Sequence, residues 1–139
     1  MMSLNKNVIL LIICLQIFLT VNLTFSQSNW NSQQSNTTQS LRSVYFTDQN
    51  TGWAVGFNGT ILHTTNGGAN WILQSNPTTK ILFGVSFGDE NNGTATGEGG
   101  VILHTTNAGL NWVSQTSPIT VWFYSVCFTD ANTGTVVGR

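Results

Sequence analysis

The sequence predicts an all-β fold. It is a partial β-propeller of four-stranded antiparallel blades, about two and a half copies of a 41-residue repeat, and reads as a fragment of a longer ring. The register is the first ground: Val44, Val85 and Val126 stand 41 residues apart, as do Gly52, Gly93 and Gly134. The second is local pattern, in which short apolar runs are punctuated by Gly, Asn and Asp at fixed offsets. The third is composition. Charged residues are only 6%, where an ordinary soluble domain has about 25%. Asn, Thr, Ser, Gln and Gly take their place, a mixture suited to turns and short strands rather than helices.

The N-terminus has the form of an export signal. Lys6 supplies a positive charge, Val8 to Leu19 is apolar apart from Gln16, and Thr24-Phe25-Ser26 offers small residues for cleavage after Ser26. An apolar run of twelve residues falls short of the roughly 20 that a spanning helix needs. Residues 1–26 are therefore expected to be a signal peptide, with a secreted or periplasmic (extracytoplasmic) product and no membrane span after cleavage. Cleavage removes Cys14 and leaves Cys127 without an internal disulfide partner.

Each repeat reads as four strands, A to D. In the first, strand A covers about 41–47, with Val44 and Phe46 on one face. Asp48-Gln49-Asn50-Thr51-Gly52 turns the chain into strand B, Trp53 to Phe57. Asn58-Gly59 is a two-residue hairpin signal leading into strand C, Thr60 to Thr65. Asn66-Gly67-Gly68 turns again, and strand D runs from Ala69 to about Gln74. The repeats divide as 41–81, 82–122 and a partial unit 123–139. Residues 27–40 hold an N-terminal outer strand and linker, because Asn29-Trp30 and Gln33 precede Asn70-Trp71 and Gln74 by 41 residues. Arg139 aligns with Phe57 and Glu98, just before a C strand, so blade faces are expected to stand uncovered.

Thr64-Thr65-Asn66-Gly67-Gly68-Ala69-Asn70-Trp71 and Thr105-Thr106-Asn107-Ala108-Gly109-Leu110-Asn111-Trp112 resemble the Asp-box, the Ser/Thr-x-Asp-x-Gly-x-Thr-Trp turn of BNR propellers. With V-x-F-x-D-x-N-x-G upstream, the pattern over residues 29–139 is similar to the photosystem II stability/assembly factor-like family. That resemblance implies a propeller scaffold, no enzymatic activity, and a protein partner bound by an arginine-bearing surface. The arginines of this sequence are Arg42 and Arg139. Asp-box propellers also include sialidase-like glycoside hydrolases, which supplies the alternative: a hydrolase fragment whose catalytic residues lie in other blades.

The repeated residues favour structure over chemistry. Thr64, Asn66, Gly68 and Trp71, with Thr105, Asn107, Gly109 and Trp112, are expected to build turns and packing. Asp48-x-Asn50-x-Gly52 and its copies lack the terminal Glu and flanking helices of an EF-hand. His63 and His104 recur as strand positions without paired Cys or acid, so no metal or cofactor is expected. Of the acids Asp48, Asp89, Glu90, Glu98 and Asp130, three recur in turns, which leaves Glu90 and Glu98 as a poor basis for hydrolysis. With no basic run, nucleic acid is excluded as a partner.

Binding is expected where the repeats differ. The A–B and C–D turns recur at one end of the strands. At the other end, where the D–A and B–C connections lie, Phe57, Glu98 and Arg139 are equivalent positions, Lys80 and Ile81 match Val121 and Trp122, and Arg42 matches Phe83 and Tyr124. Arg42, Phe57, Lys80, Ile81, Glu98, Trp122 and Arg139 are the candidate contacts for a protein, or alternatively a carbohydrate, partner.

Overall fold

The computed structural model describes residues 32–139. The expected signal peptide, Trp30 and the sulfur of Cys14 lie outside the described residues.

Strands β1 (Leu41–Phe46), β2 (Gly52–Gly56), β3 (Ile61–Thr64) and β4 (Ile72–Leu73) form the first antiparallel sheet in sequential order. Strands β5 (Leu82–Phe87), β6 (Gly93–Gly97), β7 (Ile102–Thr105) and β8 (Val113–Gln115) repeat it, and β9 (Phe123–Phe128) pairs with β10 (Gly134–Gly138). The register repeats with the sequence, so that Val44 faces Ala54, Val85 faces Ala95 and Val126 faces Val136. The partial propeller read from the repeat is the observed fold.

The Asn58-Gly59 hairpin signal becomes a tight turn with both central residues at positive φ, 53° and 65°. Gly99 and Gly100 copy it at 65° and 78°. Strand B therefore stops at Gly56 rather than reaching Phe57. Strand D starts later than Ala69, at Ile72, because the Asp-box side chains claim the amides of Gly68 and Asn70 for the turn. Residues 32–40 contain no strand; Gln33 instead donates from Nε2 to the Gly67 carbonyl, and Asn36 from Nδ2 to that of Trp71.

The core is the seam between the first and second sheets. The first sheet contributes Trp53, Val55 and Ile61, and the second contributes Leu82, Val85, Phe87, Ala95, Leu103 and Trp112. The Trp53 ring is sandwiched, with Phe87 at 3.7 Å between centroids and His63 at 4.8 Å. Its Nε1 donates to the Ala108 carbonyl at 3.2 Å, and the Tyr45 hydroxyl donates to the Phe87 carbonyl at 2.8 Å. Aromatic stacking thus orients the two sheets while two hydrogen bonds fix their register. The face of the second sheet that meets the first is rebuilt residue for residue on the first sheet's far side. Leu41, Val44 and Phe46 repeat Leu82, Val85 and Phe87, yet are 38%, 59% and 39% exposed, because no sheet precedes theirs among the described residues. These are uncovered blade faces of the kind expected.

Candidate functional site

The two ends of the strands differ in what their polar groups do. At the A–B and C–D end, the turns are closed on themselves. Thr64 Oγ1 accepts from the amides of Asn66 and Gly68 at 3.3 and 3.0 Å and donates to Asn66 Oδ1, which also accepts from the Asn70 amide. Thr105 and Asn107 make the same four contacts, to Asn107, Gly109 and Asn111. Gly68 and Gly109 take φ of 86° and 81°, a left-handed conformation suited to glycine. Trp71 and Trp112 are buried, edge-on to Phe46 and Phe87. Carboxylates in the A–B turns are equally occupied. Asp48 Oδ1 accepts from Asn50 and Thr51, Asp89 Oδ1 from Asn91 and Asn92, and Asp130 Oδ1 from Asn132 and Thr133. These bonds hold all three carboxyls below the usual carboxylate range, chiefly through the Asn50 amide, the Asn92 side chain and the Asn132 amide respectively. A cleft of about 530 Å³ lined by Tyr45, Thr47 and Gly88 to Asn91 opens at this end, with two carboxylates in its wall, Glu90 and Asp89, of which Asp89 is spent on backbone amides.

His63 and His104 also serve the fold. Burial against Trp53 pushes the His63 pKa down. His104 Nδ1 lies 3.2 Å from Thr94 Oγ1.

At the opposite end, the backbone is constant and the side chains change. The first residue of each B–C turn donates its amide to the carbonyl of the residue before strand A: Phe57 to Ser40, Glu98 to Ile81 and Arg139 to Trp122, at 2.9–3.0 Å. The Trp122 amide returns a bond to the Arg139 carbonyl. Glycine must end each B strand here, since a Cβ on Gly56, Gly97 or Gly138 would run into the carbonyl of Ser40, Ile81 or Trp122. One residue further along, each A strand carries a β-bulge. Leu41 pairs with Gly56 and Ser43 with Val55, so Arg42 has no partner; Phe83 and Tyr124 are skipped in the same way. A bulge releases its extra residue from the ladder and re-aims the side chain.

The candidate residues accordingly fall into local groups. Arg42 lays its guanidinium 4.7 Å from the centre of the Phe57 ring. Lys80 accepts the Gly59 amide at its carbonyl and extends its Nζ beside Gly99 in the next sheet. Glu98 turns its carboxylate to the Ile81 amide, at 3.5 Å, and Ile81 is half-buried. Trp122 and Arg139, with Tyr124, line a cleft of about 260 Å³. Sequence comparison set Phe83 and Tyr124 opposite Arg42 but gave neither its own weight. The structure gathers both with Trp122 into one ring cluster, at 5.3 Å (Phe83–Tyr124), 5.7 Å (Phe83–Trp122) and 6.4 Å (Trp122–Tyr124). The available signal was an aromatic at two of three equivalent positions.

Charge is segregated along the same axis. Among the described residues, Arg42, Lys80 and Arg139 lie at the bulge end with Glu98, while Asp48, Asp89, Glu90 and Asp130 lie at the other.

Residues 23–120 match the family model described as photosynthesis system II assembly factor YCF48. The chain belongs to this YCF48 family. A solved structure described as "YCF48 bound to D1 peptide" is similar at 26% identity and a TM-score of 0.71, over 78% of this chain and 36% of that one. YCF48 from Cyanidioschyzon merolae shares the fold at 17% identity and a TM-score of 0.65, over 79% of this chain and 38% of that one. The chain thus spans little more than a third of the YCF48 structures it matches. No curated protein matches it by sequence.

Proposed function

We propose that this chain is a binding module without enzymatic activity, and that it recognises a protein partner through the end of its sheets where the D–A and B–C connections meet. The carrying observation is the recurrent bulge: one fixed backbone presents Arg42, Phe83 and Tyr124 off the ladder in three successive units. A scaffold that holds its backbone and varies the projecting side chain is suited to recognition. The similarity to YCF48 in a complex described as bound to D1 peptide supports a peptide or protein as the partner class.

Glu90 and Glu98, the two acids outside the repeated turn positions, do not form a glycosidase pair with each other. Glu90 and Glu98 lie on opposite sides of β6, a five-residue strand. At about 3.3 Å per residue, such a strand separates them by roughly 16 Å, beyond the roughly 5–9.5 Å between glycosidase carboxylates. Export through residues 1–26 belongs to the same proposal, and N-terminal sequencing of the mature protein should begin at Gln27.

Photo-cross-linking tests the recognition end. Benzoylphenylalanine at Phe57 should trap a partner protein in producing cells, while the same probe at Gln49, in an A–B turn, should not. Arg42→Glu combined with Lys80→Glu should abolish the adduct. Equal trapping from both positions would refute the assignment of the end.

A further inference from the structure

We infer that the cleft between the first and second sheets, at the A–B and C–D end, binds an alkylguanidinium group, with Glu90 as its carboxylate partner and the Tyr45 ring as its wall. This site lies at the opposite end from the proposed recognition surface and does not rest on it.

The two seams of the molecule differ at this point. At the second seam, Gly88 lets the next A–B turn settle directly on the strand: a Cβ there would run into the Asp130 carbonyl and the Cα of Ala131. Ser86 holds that seam at short range, its hydroxyl accepting the Phe128 amide at 3.1 Å. At the first seam, the residue equivalent to Gly88 is Thr47 and the residue equivalent to Ser86 is Tyr45. The Thr47 side chain occupies the place into which the turn would settle, and the longer Tyr45 reaches across to the Phe87 carbonyl instead. The turn Gly88 to Asn91 stands off, and the cleft of about 530 Å³ opens between it and Thr47. A second cleft of about 390 Å³ shares Thr47, Glu90 and Asn91 as wall. Complete four-stranded sheets flank this seam, so the opening is not a free edge.

The residue at the turn tip is also particular to this seam. Glu90 stands where the other units have Gln49 and Ala131. Its side chain makes no hydrogen bond among the described residues, whereas Asp89 accepts two amides and the Asn92 side chain. Asp48 adds negative charge from the adjoining cleft, and burial keeps His63 there neutral at neutral pH. A cation is therefore the ligand class. Among the described residues no three His, Cys, Asp or Glu gather closely enough to hold a metal ion. An ammonium is a strongly hydrated point charge. A guanidinium is planar and weakly hydrated, pairs with a carboxylate through two parallel hydrogen bonds, and lays its face on an aromatic ring. Glu90 and Tyr45 supply those two partners in one cleft, whose volume is in the range of small-ligand sites.

The test is proton–nitrogen correlation NMR on the full chain, titrated with butylguanidinium. Saturable shifts are expected at the Thr47, Glu90 and Asn91 amides, with butylammonium weaker by about fivefold. Glu90→Gln, at an exposed turn tip, should weaken binding about tenfold. Adding Ala131→Glu to that variant restores the net charge at a turn whose seam is closed, and should not restore binding. Thr47→Gly removes the wedge and should weaken binding with Glu90 still in place, while the remaining resonances report that the fold is kept. A capped Gly-Arg-Gly tripeptide separates the sources of the group: binding assigns an arginine side chain, exclusion a free small molecule, and both uphold the inference. No saturable shift, equal binding of the two cations, indifference to Glu90→Gln, recovery with Ala131→Glu, or displacement of the probe by calcium would overturn it. Gln49 lines neither cleft, so the cross-linking contrast is decided separately.

Discussion

Trp53 is where one sheet grips the next, and its removal has a magnitude that follows from its surroundings. The side chain is fully buried, stacked between Phe87 and His63, and its Nε1 satisfies the Ala108 carbonyl. Truncating a buried Trp to Ala costs about 3–5 kcal/mol. The carbonyl left without its donor places Trp53→Ala toward the upper end of that range. Trp53→Phe keeps a ring against Phe87 and loses the donor, so it should cost about 1–2 kcal/mol. Urea unfolding followed by far-ultraviolet circular dichroism measures both. For a domain whose whole stability is of the order of 5–15 kcal/mol, the alanine variant should lose a third or more of its stability. A cost below about 1 kcal/mol, the range of a surface substitution, would mean that the sheets do not stack through this seam.

Other consequences concern the turns and His63. Thr64→Val removes the acceptor for two turn amides and should cost about 1–3 kcal/mol, whereas Thr65→Val, exposed one residue away, should stay within about 0.5 kcal/mol; urea midpoints compare them. Asp48, Asp89 and Asp130 titrate below their ordinary value of 3.8 in the folded chain. Below that value the unfolded chain takes up protons first, so their contribution is full above it and is lost as pH falls through the folded values. The triple Asp→Asn variant should therefore show a flatter fall of urea midpoint with acid. His63 titrates below its ordinary 6.5, so the folded state favours neutral imidazole, and stability should already begin to decline as pH drops below that value. His63→Phe, which keeps a ring on Trp53, should remove this upper part of the pH profile.

Much of the scaffold was legible because it is local. Asn58-Gly59 needs two positive φ values in succession, and Thr64-x-Asn66-x-Gly68 carries in one short segment every group that its turn bonds require. Strand ends were misjudged where the same chemistry reached further than the apolar pattern: Asn66 holds the Asn70 amide, which delays strand D to Ile72. The bulge was not legible. It arises where strand B closes on the residue before strand A, through the Phe57–Ser40 bond and its copies, and no residue type marks position 42, 83 or 124. The sandwich of His63, Trp53 and Phe87 joins residues of different repeats and has no signature within either. Phe83 and Tyr124 went unweighted for the same reason: their place together follows from the packing of β5 beside β9.

Exchanging the side chains at two bulges probes whether backbone and recognition are separable. Arg42 and Tyr124 are both exposed and both off the ladder. The double variant Arg42→Tyr, Tyr124→Arg exchanges a cation–π contact and ring contacts worth about 0.5–1.5 kcal/mol each, which the swapped groups partly remake, and should unfold within about 2 kcal/mol of the parent. A loss above about 2 kcal/mol would show that these residues hold the sheets together, and would contradict a constant scaffold with interchangeable projecting groups.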